Sequence, residues 1–378
     1  MKRILFITPS KSIGGTNSSL SSIINHLNND CKIDVLLMST YGDSQYEFLQ
    51  SAITCKLLDA YITDFKKLSG FVKFLALIIK LIKKVALLFG IPIERIIYKA
   101  VARKLQKKYK FDYVVGFSEG RAMKLASEFN DVIKFTWIHC EYDRAVPLNV
   151  DELSFYSRFN KIVCVSKYTR DLFANRYPSL ASNTMYVYNL LDVNRILTLA
   201  NEEICDDRFN NSKYTIISVG RIDPVKGFSN IPRVAHILQK KQVDFTWYII
   251  GGPINDEYKL IQSEIDKYGL SNYVILLGAK SNPYPYFRNA DLYVSTSLSE
   301  ACPMVFNEAK LLRLPIISTN FGSAFEFIDN RGQYIKPIDR IADAILTHYY
   351  TRSCDTDSDL CIRNIDQLAR NQLDALFE

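Results

Sequence analysis

The sequence lacks several features by which large protein classes are identified. None of its eight cysteines forms a C-x-x-C pair, and several lie in or beside apolar segments. This favours buried free thiols in a reducing compartment over a disulfide framework. No apolar run reaches the ~18 residues of a membrane span, since residues 74–79 are bounded by Lys73 and Lys80. The N-terminus MKRILFITPS leads directly into a predicted strand without a signal-peptide layout, so we expect a cytosolic protein.

The sequence also lacks the most recognisable nucleotide-binding and metal-binding signatures. Gly14 and Gly15 lie between a predicted strand and helix, but no Gly-Lys-Ser/Thr follows, and the G-x-G-x-x-G fingerprint is absent. Residues 355–359 alternate carboxylates as a calcium loop does, without the glycine and the glutamate that such a loop needs. We therefore expect a solvated linker at 355–359 and no bound metal or other cofactor.

Length and charge predict two domains of different character. A chain of 378 residues is too long for one ordinary core, and 48% of its residues are hydrophobic. Residues 1–190 contain 27 Lys and Arg against 16 Asp and Glu, a net charge of +11. Residues 191–378 contain 20 against 24, a net charge of −4. The first half is therefore suited to an anionic partner.

Short apolar runs alternate with helical patterns in both halves, which is typical of parallel α/β sheets. We predict strands at residues 3–8, 33–38, 113–116, 135–138, 161–165 and 185–188, and then at 214–219, 245–250, 273–277, 292–294, 315–318 and 332–335. Two consecutive series predict an α/β fold of two facing, doubly wound, Rossmann-like domains. The predicted domains are 1–190 and 191–355, followed by a helix at 356–378 that crosses back to the first domain.

The most informative segment of the chain follows the predicted strand at 292–294. Glu300 and Glu308 are eight residues apart, on either side of the turn that contains Pro303. Proline suits the start of a helix, and the first N–H groups of that helix have no intrahelical partner. These N–H groups are therefore available to bind phosphate or sugar oxygens. Cations at the end of a neighbouring strand would be able to bind the same oxygens. Arg221 and Lys226 follow the strand at 214–219 in the run GRIDPVKG and provide such cations.

These motifs resemble those of family 4 retaining glycosyltransferases, which have the GT-B fold, in the bacterial surface-polysaccharide group. The resemblance implies that Arg221 and Lys226 hold the donor diphosphate, that Glu300 contacts hydroxyls of the transferred sugar, and that Glu308 contacts the ribose. It further implies that two other places bind the donor. One is the strand-to-helix loop of the first domain, at Gly14 and Gly15. The other is the start of the helix in the second domain, at Pro303, Met304 and Val305. The cationic pair would take the place that a divalent ion has elsewhere.

The match to the family has departures. The Gly-Gly-x-Glu of the first loop has Asn17 in place of the acid, and glycines that are usual between the two glutamates are replaced by Cys302 and its neighbours. The segment from Asn189 to Asp192 lacks the common Asn-Gly. These departures bear on which sugar is bound.

His139 lies where a strand ends, beside Glu141 and Asp143. A histidine at a strand end is often structural, but this place resembles that of the family's cleft histidine near the sugar and phosphate, which makes it a catalytic candidate with Glu300. Residues 116–120 (GFSEG) match the G-x-S-x-G elbow of hydrolases. However, His139 follows too soon for an intervening acid, so we interpret the pentapeptide as a strand-end loop.

Residues 66–110 contain thirteen Lys and Arg and one acid, Glu94. At helical spacing, Lys66, Lys73, Lys80 and Lys84 form one stripe, with apolar residues elsewhere around the helix. This pattern predicts an interfacial amphipathic helix that binds anionic lipid. The alternative is a core helix with a solvated basic face. No groove-reading or aromatic-interleaved motif supports a nucleic-acid partner.

Together these features predict a hexosyltransferase-type retaining glycosyltransferase in polysaccharide biosynthesis. Its expected partners are a nucleotide-diphosphate sugar, a lipid-linked glycan acceptor and the anionic inner face of the cell membrane, where it would be a peripheral, cytoplasmic protein. The alternative is a non-catalytic GT-B-like subunit that binds a nucleotide sugar or glycan.

Overall fold

A computed structural model describes residues 1–10, 15–41, 46–147, 150, 152–210, 213–252, 256–328, 333–351 and 358–377. The chain divides into two compact units, Met1–Leu190 and Leu191–Glu378. Each unit has its own hydrophobic core beneath a parallel sheet.

The first unit is built on a parallel sheet of the order β2-β1-β3-β4-β5-β6. Its strands are β1 (Lys2–Thr8), β2 (Cys31–Leu37), β3 (Tyr113–Gly116), β4 (Ile133–Ile138), β5 (Lys161–Cys164) and β6 (Thr184–Tyr186). Each predicted strand of this half is confirmed, with ends within two residues of the prediction. The strands β1, β3, β4 and β5 in the middle of the sheet are mostly buried, because parallel strands carry apolar side chains on both faces.

Helices cover this sheet and connect its strands. They are α1 (Gly15–Leu27), α2 (Lys56–Ile62), α3 (Gly70–Leu88), α4 (Ile93–Lys108), α5 (Arg121–Ser127), α6 (Tyr142–Ala145), α7 (Leu153–Tyr156) and α8 (Lys167–Arg176). Six cysteines lie among residues whose burial the structure describes, and all six are free thiols, but of these six only Cys31 and Cys164 are buried.

One sequence prediction about this unit is wrong. Lys66 does not share a helix with Lys73, Lys80 and Lys84, because it lies in a separate 3₁₀ turn, Phe65–Lys67. The Asp64 side chain caps that turn by accepting a hydrogen bond from Lys66 N at 3.0 Å. The backbone of Leu68 is then extended, and α3 begins only at Gly70. The lysine stripe of α3 therefore comprises Lys73, Lys80 and Lys84.

The second unit repeats the architecture with the sheet order β12-β11-β10-β7-β8-β9. Its strands are β7 (Tyr214–Val219), β8 (Phe245–Ile250), β9 (Val274–Gly278), β10 (Leu292–Ser295), β11 (Ile316–Thr319) and β12 (Gln333–Lys336). All six predicted strands are confirmed to within one residue at each end. After β9 the chain returns to the other side of β7, so β7 and β10 are neighbours at the topological switch point, where open α/β sheets bind ligands.

The helices of the second unit are α9 (Val193–Leu199), α10 (Ile231–Lys240), α11 (Glu257–Lys267), α12 (Tyr284–Arg288), α13 (Met304–Leu311), α14 (Ala324–Phe327), α15 (Ile341–Thr351) and α16 (Ser358–Phe377). Helix α16 packs against α13. That it also reaches the first domain stays a prediction. The calcium-like segment 355–359 lies outside the described side chains.

Among the described residues, no helix combines the length and apolar character needed to cross a membrane.

Candidate active site

The loop after β7 holds Lys226 at the switch point of the second sheet. Asp223 caps the 3₁₀ turn Pro224–Lys226 by accepting hydrogen bonds from Val225 N at 3.0 Å and Lys226 N at 3.2 Å. Gly227 then has a φ of 61°, and a Cβ at this position would collide with the carbonyl oxygen of Thr296. A glycine is therefore required for the β7 loop to lie against the β10 loop.

The two loops are joined by an ion pair. Lys226 Nζ lies 2.5 Å from Glu300 Oε1, and both side chains are mostly shielded from solvent, at 17% and 16% exposure. Ser297 Oγ donates a second hydrogen bond to the same carboxylate oxygen at 2.7 Å. Ser323 Oγ donates to the backbone carbonyl of Glu300 at 2.5 Å. Glu300 is thus held in one position, with its carboxylate against the Lys226 ammonium.

Glu308 lies on the first turns of α13, beside the same lysine. Burial raises the pKa of Glu308 to about 7, while a hydrogen bond from Tyr284 and the charge of Lys226 act in the opposite direction. The Tyr284 hydroxyl is 3.4 Å from Glu308 Oε1. Tyr293 of β10 is buried close to both glutamates, and burial and their charges raise the pKa of its phenol. Glu308 is therefore a carboxyl that titrates near neutral pH.

The start of α13 presents backbone donors at the end of β10. Pro303 directly precedes the helix, and no side chain caps it there. The N–H groups of Met304 and Val305, in the first turn, point away from the helix and have no intrahelical acceptor. The helix dipole adds a partial positive charge at this end. The arrangement suits an anionic or hydroxyl-rich ligand.

Arg221 differs from Lys226 in its surroundings. Its side chain is 66% exposed and lies 3.5 Å from Asp223 Oδ2. Asp223 thus contacts the Arg221 guanidinium and also fixes the backbone at Lys226. In the ligand-free protein Arg221 is a solvated cation at the rim of the site, whereas Lys226 lies inside it.

In the first unit, His139 directly follows β4. Its backbone N–H donates to Glu119 Oε2 at 3.0 Å, and its ring packs on Phe117 with centroids 4.7 Å apart. Burial lowers the pKa of His139 to about 4, against the opposing effect of Glu119. Its Nε2 atom is buried and has no hydrogen-bond partner among the described residues. A neutral imidazole with an unpaired nitrogen is a group that a bound ligand can satisfy.

The glycine loop of the first unit is described only in part. Gly14 lies outside the described residues, and Gly15 begins α1. Asn17, at the position where the family has an acid, is buried, and its side-chain amide makes hydrogen bonds within this part of the chain. Its Oδ1 accepts from Thr8 Oγ1 at 3.0 Å, and its Nδ2 donates to the Ser10 carbonyl at 3.0 Å. In this chain, position 17 fixes the turn between β1 and α1.

The G-x-S-x-G segment has a packing explanation. A Cβ at Gly116 would meet the backbone of Met123, so the glycine lets α5 approach β3 closely. Ser118 Oγ donates to the Glu119 carbonyl at 3.0 Å, and no hydrogen bond joins it to His139 in the described part of the chain. This agrees with the interpretation of the segment as a strand-end loop.

Of the predicted site residues, the structure brings together Lys226, Glu300 and Glu308 with the start of α13, and it places Arg221 at the rim. Sequence reasoning missed Tyr284, Ser297 and Asp223, which position these groups. Asp223 could have been found, because an Asp before a Pro-containing turn is a common cap. Tyr284 is 24 residues from its partner Glu308, and no local pattern reveals such a contact.

Comparison with known proteins identifies the second unit. Residues 201–347 match the family model described as "Glycosyl transferases group 1". Over these residues the second unit is similar to group 1 glycosyl transferases. An uncharacterized glycosyltransferase of Methanocaldococcus jannaschii is 27% identical over 170 residues, which are 44% of this chain and 41% of that protein. The chain aligns with about two fifths of the length of the curated relatives it matches.

Solved structures resemble this chain over its whole length. Anabaena HepE, solved in complex with UDP-glucose, superposes with a TM-score of 0.70 at 16% identity, covering 99% of this chain and 100% of that one. A variant of S. aureus TarM, solved with fondaparinux, alpha-GlcNAc-glycerol and UDP, has a TM-score of 0.70 at 13% identity, covering 99% and 98%. These similarities confirm the predicted fold class, two Rossmann-like α/β domains of the GT-B type.

Proposed function

We propose that this protein is a retaining glycosyltransferase that transfers a sugar, a hexose, from a nucleoside-diphosphate donor to a hydroxyl group of a glycan. The observation that carries the proposal is the grouping of Lys226, Glu300 and Glu308 at the junction of β7 and β10. UDP is the nucleotide to test first, because both solved structures named above contain it or its glucose ester.

In the proposed complex, each group of the site has one partner. Lys226 and the N–H groups of Met304 and Val305 bind the diphosphate, with Arg221 reaching it from the rim. Glu308 accepts hydrogen bonds from the ribose hydroxyls, and Glu300 accepts them from the sugar. When the donor binds, the Lys226 ammonium must therefore give up part of its contact with Glu300 and form a contact with the phosphate. In the free protein the ion pair keeps both side chains in place for this exchange.

The proposed transfer breaks the bond between the anomeric carbon and the β-phosphate oxygen and forms one bond to the acceptor oxygen. The electron pair of the broken bond stays on the diphosphate, where Lys226 and the α13 dipole stabilise the growing negative charge. The acceptor proton passes to the leaving phosphate oxygen, so that no dedicated base is required. Neutral His139, with its unpaired Nε2, is proposed to hydrogen-bond the sugar or phosphate from the first unit. Because side-chain cations carry the charge, we propose that no metal is needed.

We further propose that the protein acts at the inner face of the cell membrane on a lipid-linked acceptor in surface-polysaccharide synthesis. The support is helix α3, which packs one side on α2 through Ala76 and Ile79. Its opposite side exposes a continuous set of apolar side chains, 37–82% exposed, at Phe71, Phe74, Leu77, Ile78, Leu81, Ile82, Val85 and Leu88. Lys73, Lys80 and Lys84 lie along one flank of this apolar face, in the arrangement of an interfacial helix.

The deciding experiment is a screen of nucleotide sugars for hydrolysis and for transfer to glycan acceptors, with and without a chelator. We expect release of UDP from one UDP-sugar, unchanged by the chelator, and a product whose anomeric configuration by NMR is that of the donor. Inversion would contradict the retaining mechanism. Tight nucleotide binding without turnover on any donor would favour the non-catalytic subunit instead.

A further inference from the structure

A charged cavity lies in the first unit, away from the residues discussed so far. It has a volume of about 390 Å³ and lies among α4, the end of α5, the start of β4 and the segment before β5. We call it the basic pocket, after its charged lining residues Arg95, Lys99, Arg103, Glu128, Lys134 and Arg158. Three of these are spaced four residues apart on α4 and therefore share one face of that helix.

The charges of the basic pocket do not balance. Among the described residues that line it, Glu128 is the one acid, and its side chain is only 2% exposed. Glu128 Oε1 accepts hydrogen bonds from Arg95 Nε at 3.0 Å and from Arg158 Nη1 at 2.9 Å. One buried carboxylate thus positions two guanidinium groups, and its single negative charge offsets only one of their two positive charges. Five cations around one anion leave an excess of about four positive charges.

The remaining cations have no acidic partner to offset this excess. Among the described residues, neither Lys99 nor Arg103 takes part in an ion pair. Lys134 Nζ donates to the Phe129 carbonyl at 3.0 Å. Burial lowers the pKa of Lys134, and the nearby Arg158 charge lowers it further, while Glu128 acts in the opposite direction. A polyanion entering the pocket would relieve this repulsion.

The basic pocket lies at the amino ends of the strands, whereas His139 lies at their carboxyl ends. Lys134 is the second residue of β4, and His139 directly follows the last residue of that strand. Five residues of extended strand separate them by roughly 16 Å. Arg158 likewise precedes β5, at the amino end of the sheet. Ligands of open α/β sheets bind at the carboxyl ends of strands, which is where His139 lies. The basic pocket is therefore separate from that place.

We propose that the basic pocket binds a phosphate-bearing ligand with at least two negative charges. Guanidinium groups match phosphate oxygens bidentately, and lysines add point charges without geometric demands. The volume is at the lower end of the range for small-molecule pockets, which suits a diphosphate, a phosphorylated metabolite or a phospholipid headgroup. These sources share the same chemistry and are separated by experiment.

The first experiment measures binding of inorganic pyrophosphate by calorimetry to the full chain that carries Lys226→Ala, so that the proposed donor site contributes little. We expect Lys99→Glu/Arg103→Glu to weaken this binding by about tenfold or more, since charge-assisted contacts are lost. The matched control is Lys104→Glu/Lys107→Glu, with the same charge change on exposed positions of the same helix, for which we expect a change of less than about threefold. Lys99→Gln/Arg103→Gln serves if the glutamate variant does not fold.

Equal weakening by both pairs of substitutions would mean that pyrophosphate responds only to overall charge, and it would overturn the proposal. Because the pocket does not include the donor-site residues, this result is independent of whether the protein transfers a sugar.

A second experiment distinguishes the sources of phosphate. The protein is sedimented with vesicles that contain phosphatidic acid or, at equal surface charge, phosphatidylglycerol. A preference for the phosphomonoester lipid that is lost in Lys99→Glu/Arg103→Glu would support a lipid headgroup. Pyrophosphate binding without that preference would support a soluble ligand. Failure of both probes would overturn the basic pocket as a phosphate site.

Discussion

Glu308 is a residue of the candidate site whose charge changes near neutral pH. Burial raises its pKa to about 7, so in the ligand-free protein it is protonated below that pH and ionised above it. A carboxylate accepts hydrogen bonds from ribose hydroxyls more strongly than a carboxylic acid does. Nucleotide binding should therefore be linked to release of a proton from this group.

We expect the affinity for UDP to fall as the pH is lowered from about 8 to about 6, with a slope that approaches tenfold per unit below the pKa of Glu308. Calorimetry at several pH values measures this. Phosphate groups of UDP titrate in part of the same range, so Glu308→Gln is the control, in which only their contribution remains. If wild type and Glu308→Gln have the same pH profile, Glu308 is not at the ribose.

Lys226 and Arg221 should differ in importance, because one is enclosed and the other is solvated. We expect Lys226→Ala to lower kcat/KM by about 10- to 150-fold, the loss of a charge-assisted bond of about 1.5–3 kcal/mol. Arg221→Ala should cost only a few-fold, and this smaller effect should fade with added salt. Steady-state kinetics with the active donor, beside Lys259→Ala as an exposed control, tests both. A larger loss at Arg221 would reverse the assignment of the two cations.

At the scale of secondary-structure elements, the strands were predictable and the basic helix was not. The predicted strands are present, and the central ones were the easiest to predict, because β7, β8 and β10 are apolar runs that are almost fully buried. The stripe that included Lys66 was wrong, because spacing alone does not show that Asp64 starts a separate turn and that α3 begins at Gly70. Lysine spacing also did not reveal which apolar residues of α3 face solvent, since that depends on the position of α2.

Helix α3 should bind anionic membranes through two separable contributions. The lysines are worth about 1 kcal/mol each near an anionic surface, and this attraction weakens with salt, whereas apolar insertion does not. We expect sedimentation with anionic vesicles to be abolished by Lys73→Glu/Lys80→Glu/Lys84→Glu. In Phe71→Ser/Phe74→Ser/Leu81→Ser it should persist at low salt and disappear at high salt, where wild type is partly retained.

The control for these variants is Lys240→Glu/Lys241→Glu/Lys259→Glu, which makes the same charge change on exposed positions of the second unit. If this control loses binding as fully as the α3 lysine variant, net charge and not α3 is responsible. If wild type ignores anionic vesicles, the lipid-linked acceptor loses its main support.

On the scale of the whole molecule, the two units have separate cores and one tryptophan each. Trp137 is buried in the first unit against Phe117, with ring centroids 5.3 Å apart. Trp247 is buried in the second unit, where its Nε1 donates to Ser218 Oγ at 3.0 Å. The chain contains two tryptophans in all. Single-tryptophan variants therefore report the unfolding of each unit on its own.

We expect UDP to raise the unfolding midpoint reported by Trp247 in a Trp137→Phe chain more than the midpoint reported by Trp137 in a Trp247→Phe chain. A ligand at about a hundred times its Kd stabilises the state it binds by about 2.7 kcal/mol. Intrinsic fluorescence in denaturant measures both midpoints. A shift confined to Trp137 would place the nucleotide in the first unit and contradict the assignment of Lys226 and Glu308.

The exposed apolar face of α3 also affects how the protein behaves in aqueous solution. There the face lies in water, and apolar surface of this extent is unfavourable unless something covers it. In concentrated solution the nearest cover is the same face of another molecule. Reversible self-association that a mild detergent relieves is therefore the expected behaviour of the purified protein, and the cell faces the same aggregation hazard with each newly made chain.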